Sequence, residues 1–168
     1  MAISYSLDLA TPLSASKVAL ALRECAAALG MLGGDSSADQ LLEEGVVTPQ
    51  GTWMRAGGRI EQSRGRAWDL LVGGLVFDPT AWVYFRLRKP GAASDGLATQ
   101  QDHMIRLTLG LLDVVPGDAV LHFDYETVWL VRREGVLSLS DRQDLWTLRR
   151  LAMVRPPYRR GKHWYTWE

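Results

Sequence analysis

From Thr80 to Arg88 the side chains alternate without a break: Ala81, Val83, Phe85 and Leu87 fall on one side, and Trp82, Tyr84, Arg86 and Arg88 on the other. Period two is the signature of a pleated strand with one face turned to a core, and a 3.6-residue repeat cannot gather the same residues on one stripe. The aromatic and β-branched content suits such a surface. The chain opens in the same way. Ile3, Tyr5, Leu7 and Leu9 alternate with Ser4, Ser6 and Asp8, which predicts a half-buried strand whose polar side meets water.

Helical spacing appears twice at length. After Thr11-Pro12 breaks the first strand, Ser14 offers an N-cap oxygen, and Val18, Leu22, Cys25 and Leu29 recur on one stripe up to Gly30, predicting a helix over 16–29. Met104, Thr108, Leu111, Leu112 and Val115, widened by Ile105 and Leu109, predict a second, well-buried helix. Thr99-Gln100-Gln101-Asp102 resembles its capping box, with Asp where Glu or Gln is usual. A short helix is expected over 38–44, and a hairpin over 46–48 and 52–55 around Pro49-Gln50-Gly51. Strands are expected over 120–125, 127–133 and 136–139. Ser140-Asp141-Arg142-Gln143 is another capping-box pattern and predicts a short helix through Trp146, with a further one over 148–154. Residues 56–66 and 89–96 read as loops, and Pro156-Pro157 reads as the end of regular structure. The sum is an α+β fold: one domain over 1–168, an antiparallel sheet with two main helices and short C-terminal helices, and a basic, aromatic tail over 155–168.

Composition narrows the function classes. Hydrophobic residues are 47% and charged residues 23% of 168, a mix that supports a packed core and excludes disorder. Nineteen basic residues balance nineteen acidic ones, which argues against a dedicated nucleic-acid binder. The single cysteine, Cys25, excludes an internal disulfide and Cys-rich metal schemes. The N-terminus lacks a signal-peptide pattern and no apolar run is long enough for a membrane span, so a cytoplasmic location is expected. Charge is uneven along the chain. The first fifty residues carry two basic against six acidic side chains, and 141–168 carry seven basic against three acidic.

Few residues offer chemistry. His122 and Asp124, two apart on a strand, would share a face and supply an acid–base pair or half a metal site; the plainer reading is two polar residues on the solvent side. His103 and His163 are the other histidines, with no HExxH or HxxxH spacing. Gly33-Gly34 and Gly57-Gly58 lack the context of a phosphate loop, there is no GxSxG, and Cys25 sits on an apolar helix stripe as a small hydrophobe. No cofactor is called for.

Surface composition is more informative. There are seven tryptophans. Trp82 and Tyr84 share a strand face with arginines, and by strict alternation Trp129 shares one with Thr127, Val131 and Arg133. Aromatics beside arginine are the composition of a protein interface, unless the two helices cover that face. Asp39, Glu43 and Glu44 form an acidic patch suited to a basic partner. The tail from Arg155 to Trp167 interleaves basic and aromatic residues and offers the alternative of a small nucleic-acid-binding module. A small enzyme built on His122 and Asp124, and self-association through exposed aromatics, complete the alternatives.

The segments MAISYSLDLATPLS, LLEEGVVTPQGTWMRA, QQDHMIRLTLGLLDVVPGDAVLHFDYETVWLVRREGVLSLS and DLWTLRRLAMVRPPYRR resemble the swarm-inhibition-toxin (Sit) immunity family, small bacterial proteins paired with polymorphic toxins. The resemblance covers most of the chain and implies a non-catalytic role: binding a cognate toxin and blocking it in the producing cell or its kin. Within that expectation Asp39, Glu43, Glu44, Trp82, Tyr84 and Trp129 are the candidate contacts.

Overall fold

The computed structural model describes residues 2–59, 70–72, 75–89 and 96–166. Of the expected loops over 56–66 and 89–96, Ala56–Gly58 instead continue a strand, and residues 60–66 and 90–95 lie outside the described residues, as do Trp68 and Trp167. The elements are β1 (Ile3–Ala10), α1 (Ala15–Ala28), α2 (Ala38–Glu43), β2 (Val46–Val47), β3 (Trp53–Gly58), β4 (Leu70–Val72), β5 (Leu75–Phe77), β6 (Ala81–Leu87), α3 (Leu97–Val114), β7 (Asp118–Phe123), β8 (Thr127–Arg133), β9 (Val136–Ser140), α4 (Leu148–Leu151), β10 (Arg159–Gly161) and β11 (Tyr165–Thr166). The fold is a single α+β domain with a mostly antiparallel sheet, as the sequence pattern predicts.

Eight strands form the main sheet in the order β10-β9-β8-β7-β1-β6-β3-β2, antiparallel throughout except for β10 beside β9. The opening strand β1 is central, paired with both β6 and β7. Tyr5, Leu7 and Leu9 join Val83, Phe85 and Leu87 on the face that α1 and α3 cover. α1 presents Val18, Ala19, Leu22 and Ala26 to this core, and its Ser14 cap accepts the Lys17 N–H. Small residues let the two helices approach: Cys25 Sγ lies 3.6 Å from where a Cβ on Gly110 would stand. The other face of the sheet is half covered by a second sheet, ordered β11-β4-β5. Phe77 and Tyr165 pack there with Val120, Val128 and Val131.

Four local expectations give way to non-local partners. α3 begins two residues before the Thr99 pattern, at a Gly96 cap with no side-chain bond. Asp102 instead turns inward to the buried Arg150, at 2.7 Å. Ser140 ends β9 and accepts the Arg142 N–H, and the Asp141 N–H is committed to the Gly161 carbonyl, so 141–146 form a turn and no helix. Regular structure resumes after Pro156-Pro157, because Arg159–Gly161 add a strand to the β9 edge. No element is predicted over 70–77, yet β4 and β5 pair there. The helix expected over 148–154 is present in its first turn, capped by Thr147.

Polar side chains close the remaining joints. Gln100, fully buried on α3, accepts the Arg88 N–H and donates to the Arg88 carbonyl, both at 2.8 Å, extending the β6 ladder beyond the strand. Arg132 donates to the Leu112, Val115 and Gly117 carbonyls, satisfying groups that the α3 C-terminus leaves unpaired. Gly117 itself has φ +104°, and a Cβ there would stand 2.0 Å from the Ala10 carbonyl oxygen, so no other residue fits this crossing of β1.

Candidate functional site

Because α1 and α3 claim the Val83–Phe85 side of the sheet, the alternation of β6 sends Trp82, Tyr84 and Arg86 to the opposite side. The β3 register places Trp53 opposite Arg86, Arg55 opposite Tyr84 and Gly57 opposite Trp82. A checkerboard of rings and guanidinium groups results. Trp82 and Tyr84 stack with centroids 4.1 Å apart and planes 19° from parallel. Arg86 lies over the Trp53 ring at 5.0 Å and Arg55 over Trp82 at 5.9 Å, both cation–π contacts. Gly57 makes the pattern possible: a Cβ there would stand 2.2 Å from the Trp82 ring. The glycine pair that offers no phosphate loop is therefore a bed for an indole. Tyr84 is 38% exposed, Arg86 is exposed, and Trp53, Arg55 and Trp82 are half-buried. The helices do not cover this face.

The acidic patch borders it. Asp39, Glu43 and Glu44 are exposed on α2 and its C-cap. The Glu44 carbonyl accepts the Trp53 indole N–H at 3.1 Å, and the Leu42 carbonyl accepts Arg55 Nε–H at 3.4 Å. Of the six expected contacts, Asp39, Glu43 and Glu44 are thus exposed on the neighbouring helix and its cap, and Trp82 and Tyr84 lie on the aromatic face itself. Trp53 and Arg55 belong to it as well, and their alternation with buried Met54 and Ala56 was the signal in the sequence.

Trp129 is not on this surface. The β7–β8 register slips between Leu121 and His122, so Leu121 faces Leu130 while His122 faces Val128. Trp129 is the extra residue of this bulge, and a bulge re-aims a side chain against the period-two rule. Its indole packs in the helix-side core, 2% exposed, edge-on to Tyr5 and Trp146, with Arg150 over its ring at 5.4 Å. Val131 lies in the opposite cluster. Buried there, the ring offers no surface to a partner.

His122 pairs with Asp8 and not with Asp124. Asp124 and Tyr125 have φ of 49° and 58°, and this left-handed turn carries the exposed Asp124 off the strand. His122 is 1% exposed, so it is not a solvent-side residue either. Its Nδ1 accepts the Tyr125 N–H at 3.0 Å, which leaves the proton on Nε2, donated to Asp8 Oδ2 at 2.9 Å. Ser6 Oγ–H donates to Asp8 Oδ1 at 2.6 Å. Ser6 and Asp8, expected on a wet face, are buried instead. Both ring nitrogens are committed, so the imidazole has no lone pair for a general base to use.

No other chemistry gathers. Among the described residues no group of three His, Cys, Asp or Glu side chains could hold a metal ion. Cys25 is half-buried, and burial pushes its thiol above the ordinary range, away from a nucleophile. His163 in the tail bonds Ser138 Oγ at 2.8 Å. The basic residues Arg159 and Arg160 lie on β10, at the sheet edge opposite the acidic α2 side, so the charge asymmetry of the sequence becomes an asymmetry across the sheet. No helix of the described residues is long and apolar enough to cross a membrane.

These features define a class: an α+β domain with an aromatic and arginine-bearing strand face turned to solvent, whose buried ionisable side chains pair with one another, Asp8 with His122 and Asp102 with Arg150. The SitI3-like family model matches residues 3–150, and the chain belongs to that family, in keeping with the resemblance to Sit immunity proteins. No curated protein and no solved structure matches it.

Proposed function

We propose that this protein is an immunity protein that binds a cognate bacterial toxin and neutralises it by direct contact, without catalysis, in the cytoplasm of the cell that carries it. The observation that carries the reading is the Trp82–Tyr84 face: stacked aromatics crossed by arginines, left open by both helices. Aromatic and arginine side chains supply most of the binding energy at protein interfaces. The exposed Asp39, Glu43 and Glu44 at its border speed capture of a basic toxin and set the orientation of approach.

The test is co-expression with the product of the neighbouring gene, expected to be toxic alone and harmless with this chain. Trp82→Ala with Tyr84→Ala is expected to abolish protection while the variant, though less stable for the loss of the Trp82–Tyr84 stack, keeps the circular dichroism spectrum of a folded chain. Each truncated anchor costs about 2 kcal/mol of binding, a factor of roughly 30 in Kd. Intact protection by the double variant would remove this face from the contact.

A further inference from the structure

Two guanidinium groups on the open face have no carboxylate partner. Arg86 is exposed, and its ladder neighbours on either side, Ser4 of β1 and Trp53 of β3, are uncharged. Among the described residues it forms no ion pair and no side-chain hydrogen bond; it lies over the Trp53 ring at 5.0 Å. Arg55 gives its Nε–H to the Leu42 carbonyl and likewise forms no ion pair there. Carboxylates stand close by. Asp39, Glu43 and Glu44 are exposed on α2 and its C-cap, which pack against β3, and Asp124 lines the same groove as Arg86. None of the four pairs with either guanidinium.

The rings that carry these cations are fixed. Trp53 and Trp82 each donate the indole N–H to a main-chain carbonyl, that of Glu44 at 3.1 Å and that of Gly58 at 3.2 Å. Each indole also lies against a glycine, Gly45 and Gly57, where a Cβ would collide with it. A guanidinium over such a ring is held by the attraction of its charge to the π face, and its N–H edge stays available. That edge is a planar fork matched to the two oxygens of a carboxylate. Its orientation is settled before a partner arrives, which lowers the ordering cost of binding.

We propose that Arg86 and Arg55 each take a carboxylate of the toxin, so that the toxin surface seated on β3 and β6 is acidic. The immunity reading supplies only the identity of the partner; the preference for carboxylates stands on the two guanidinium groups themselves.

The experiment titrates the full, isotope-labelled chain with the peptide acetyl-Glu-Ala-Glu-amide and, separately, with acetyl-Lys-Ala-Lys-amide at low ionic strength, following the Arg86 and Arg55 Nε–H and the Trp53 and Trp82 indole N–H by NMR. The acidic peptide is expected to give a saturable shift at these groups and the basic peptide none. Arg86→Gln should weaken binding at least about fivefold, and Arg86→Lys should not restore it, because an ammonium lacks the fork. No saturable shift with the acidic peptide, an equal shift at these groups with the basic one, or wild-type affinity in Arg86→Gln or Arg86→Lys would overturn the contact. Protection in co-expression reads separately. A chain that binds the acidic peptide yet fails to protect refutes the immunity function and leaves the carboxylate contact standing. Undiminished protection by Arg55→Gln combined with Arg86→Gln does the opposite.

Discussion

Arg150→Met isolates the interaction that ties the C-terminal turn to the helical layer. Arg150 is 4% exposed, and its guanidinium donates to Asp102 Oδ1 at 2.7 Å, to the Leu145 carbonyl at 2.8 Å and to Gln101 Oε1 at 2.9 Å. Gln101 in turn donates to the Tyr5 hydroxyl at 2.8 Å, so the network reaches β1. Methionine fills much of the volume but leaves the Asp102 carboxylate buried, its one remaining ion-pair partner among the described residues being Arg149 at 3.5 Å, a largely exposed side chain. Breaking a buried pair from one side costs about 3–5 kcal/mol, because the stranded charge keeps its desolvation penalty. At this chain length that lowers the melting temperature by about 10 °C. Asp102→Leu combined with Arg150→Met removes the stranded charge and is expected to recover most of the loss. Urea unfolding of the wild type, both single variants and the double variant completes the cycle. A single-variant loss below about 1 kcal/mol, or a double variant less stable than either single, would refute the claim that charge pairing and not side-chain volume holds this joint.

Two further outcomes follow from particular contacts. Gly57→Ala should displace the Trp82 indole, seen as a change in tryptophan fluorescence and a stability loss of about 1–3 kcal/mol by overpacking; an unchanged spectrum would show that the ring does not need that bed. Tyr125, whose phenol is pushed up to about 12, resists ionisation in the folded state but not in the unfolded one. Its contribution to stability is therefore complete below about pH 10 and lost as pH rises from there toward 12. Tyr125→Phe should flatten the alkaline fall in melting temperature, and an equally steep fall in the variant would count against it.

Much of the fold was legible wherever the pattern was long and regular. β1, β6 and α1 lie within a residue or so of where alternation and helical spacing put them, and the Ser37–Gln40 capping box confirms the short helix α2. Legibility failed where one residue had two possible partners. Asp102 fits a local capping pattern, but a buried arginine 48 residues away holds it more strongly than an exposed backbone N–H. Ser140 likewise follows the β9 ladder and the Gly161 carbonyl that anchors its neighbour. For the candidate site, Asp39, Glu43, Glu44, Trp82 and Tyr84 are surface residues, while Trp129 is not, because the bulge at Leu121/His122 interrupts the alternation from which its facing was read. A bulge inserts one residue without changing composition, so nothing in the local pattern marks it.

The long regular elements β1, β6, α1 and α3, and which residues of β1 and β6 share a side, are legible in the sequence alone, since both follow from the spacing of neighbours along the chain. Which side of the sheet the helices take, and hence that Trp82 and Tyr84 are left uncovered by them, depends on packing between distant segments. Only the tertiary structure could bring Asp8 to His122 across 114 residues. A buried charge or ring settles with whatever partner the whole fold delivers, and burial makes that partner worth more than any local alternative.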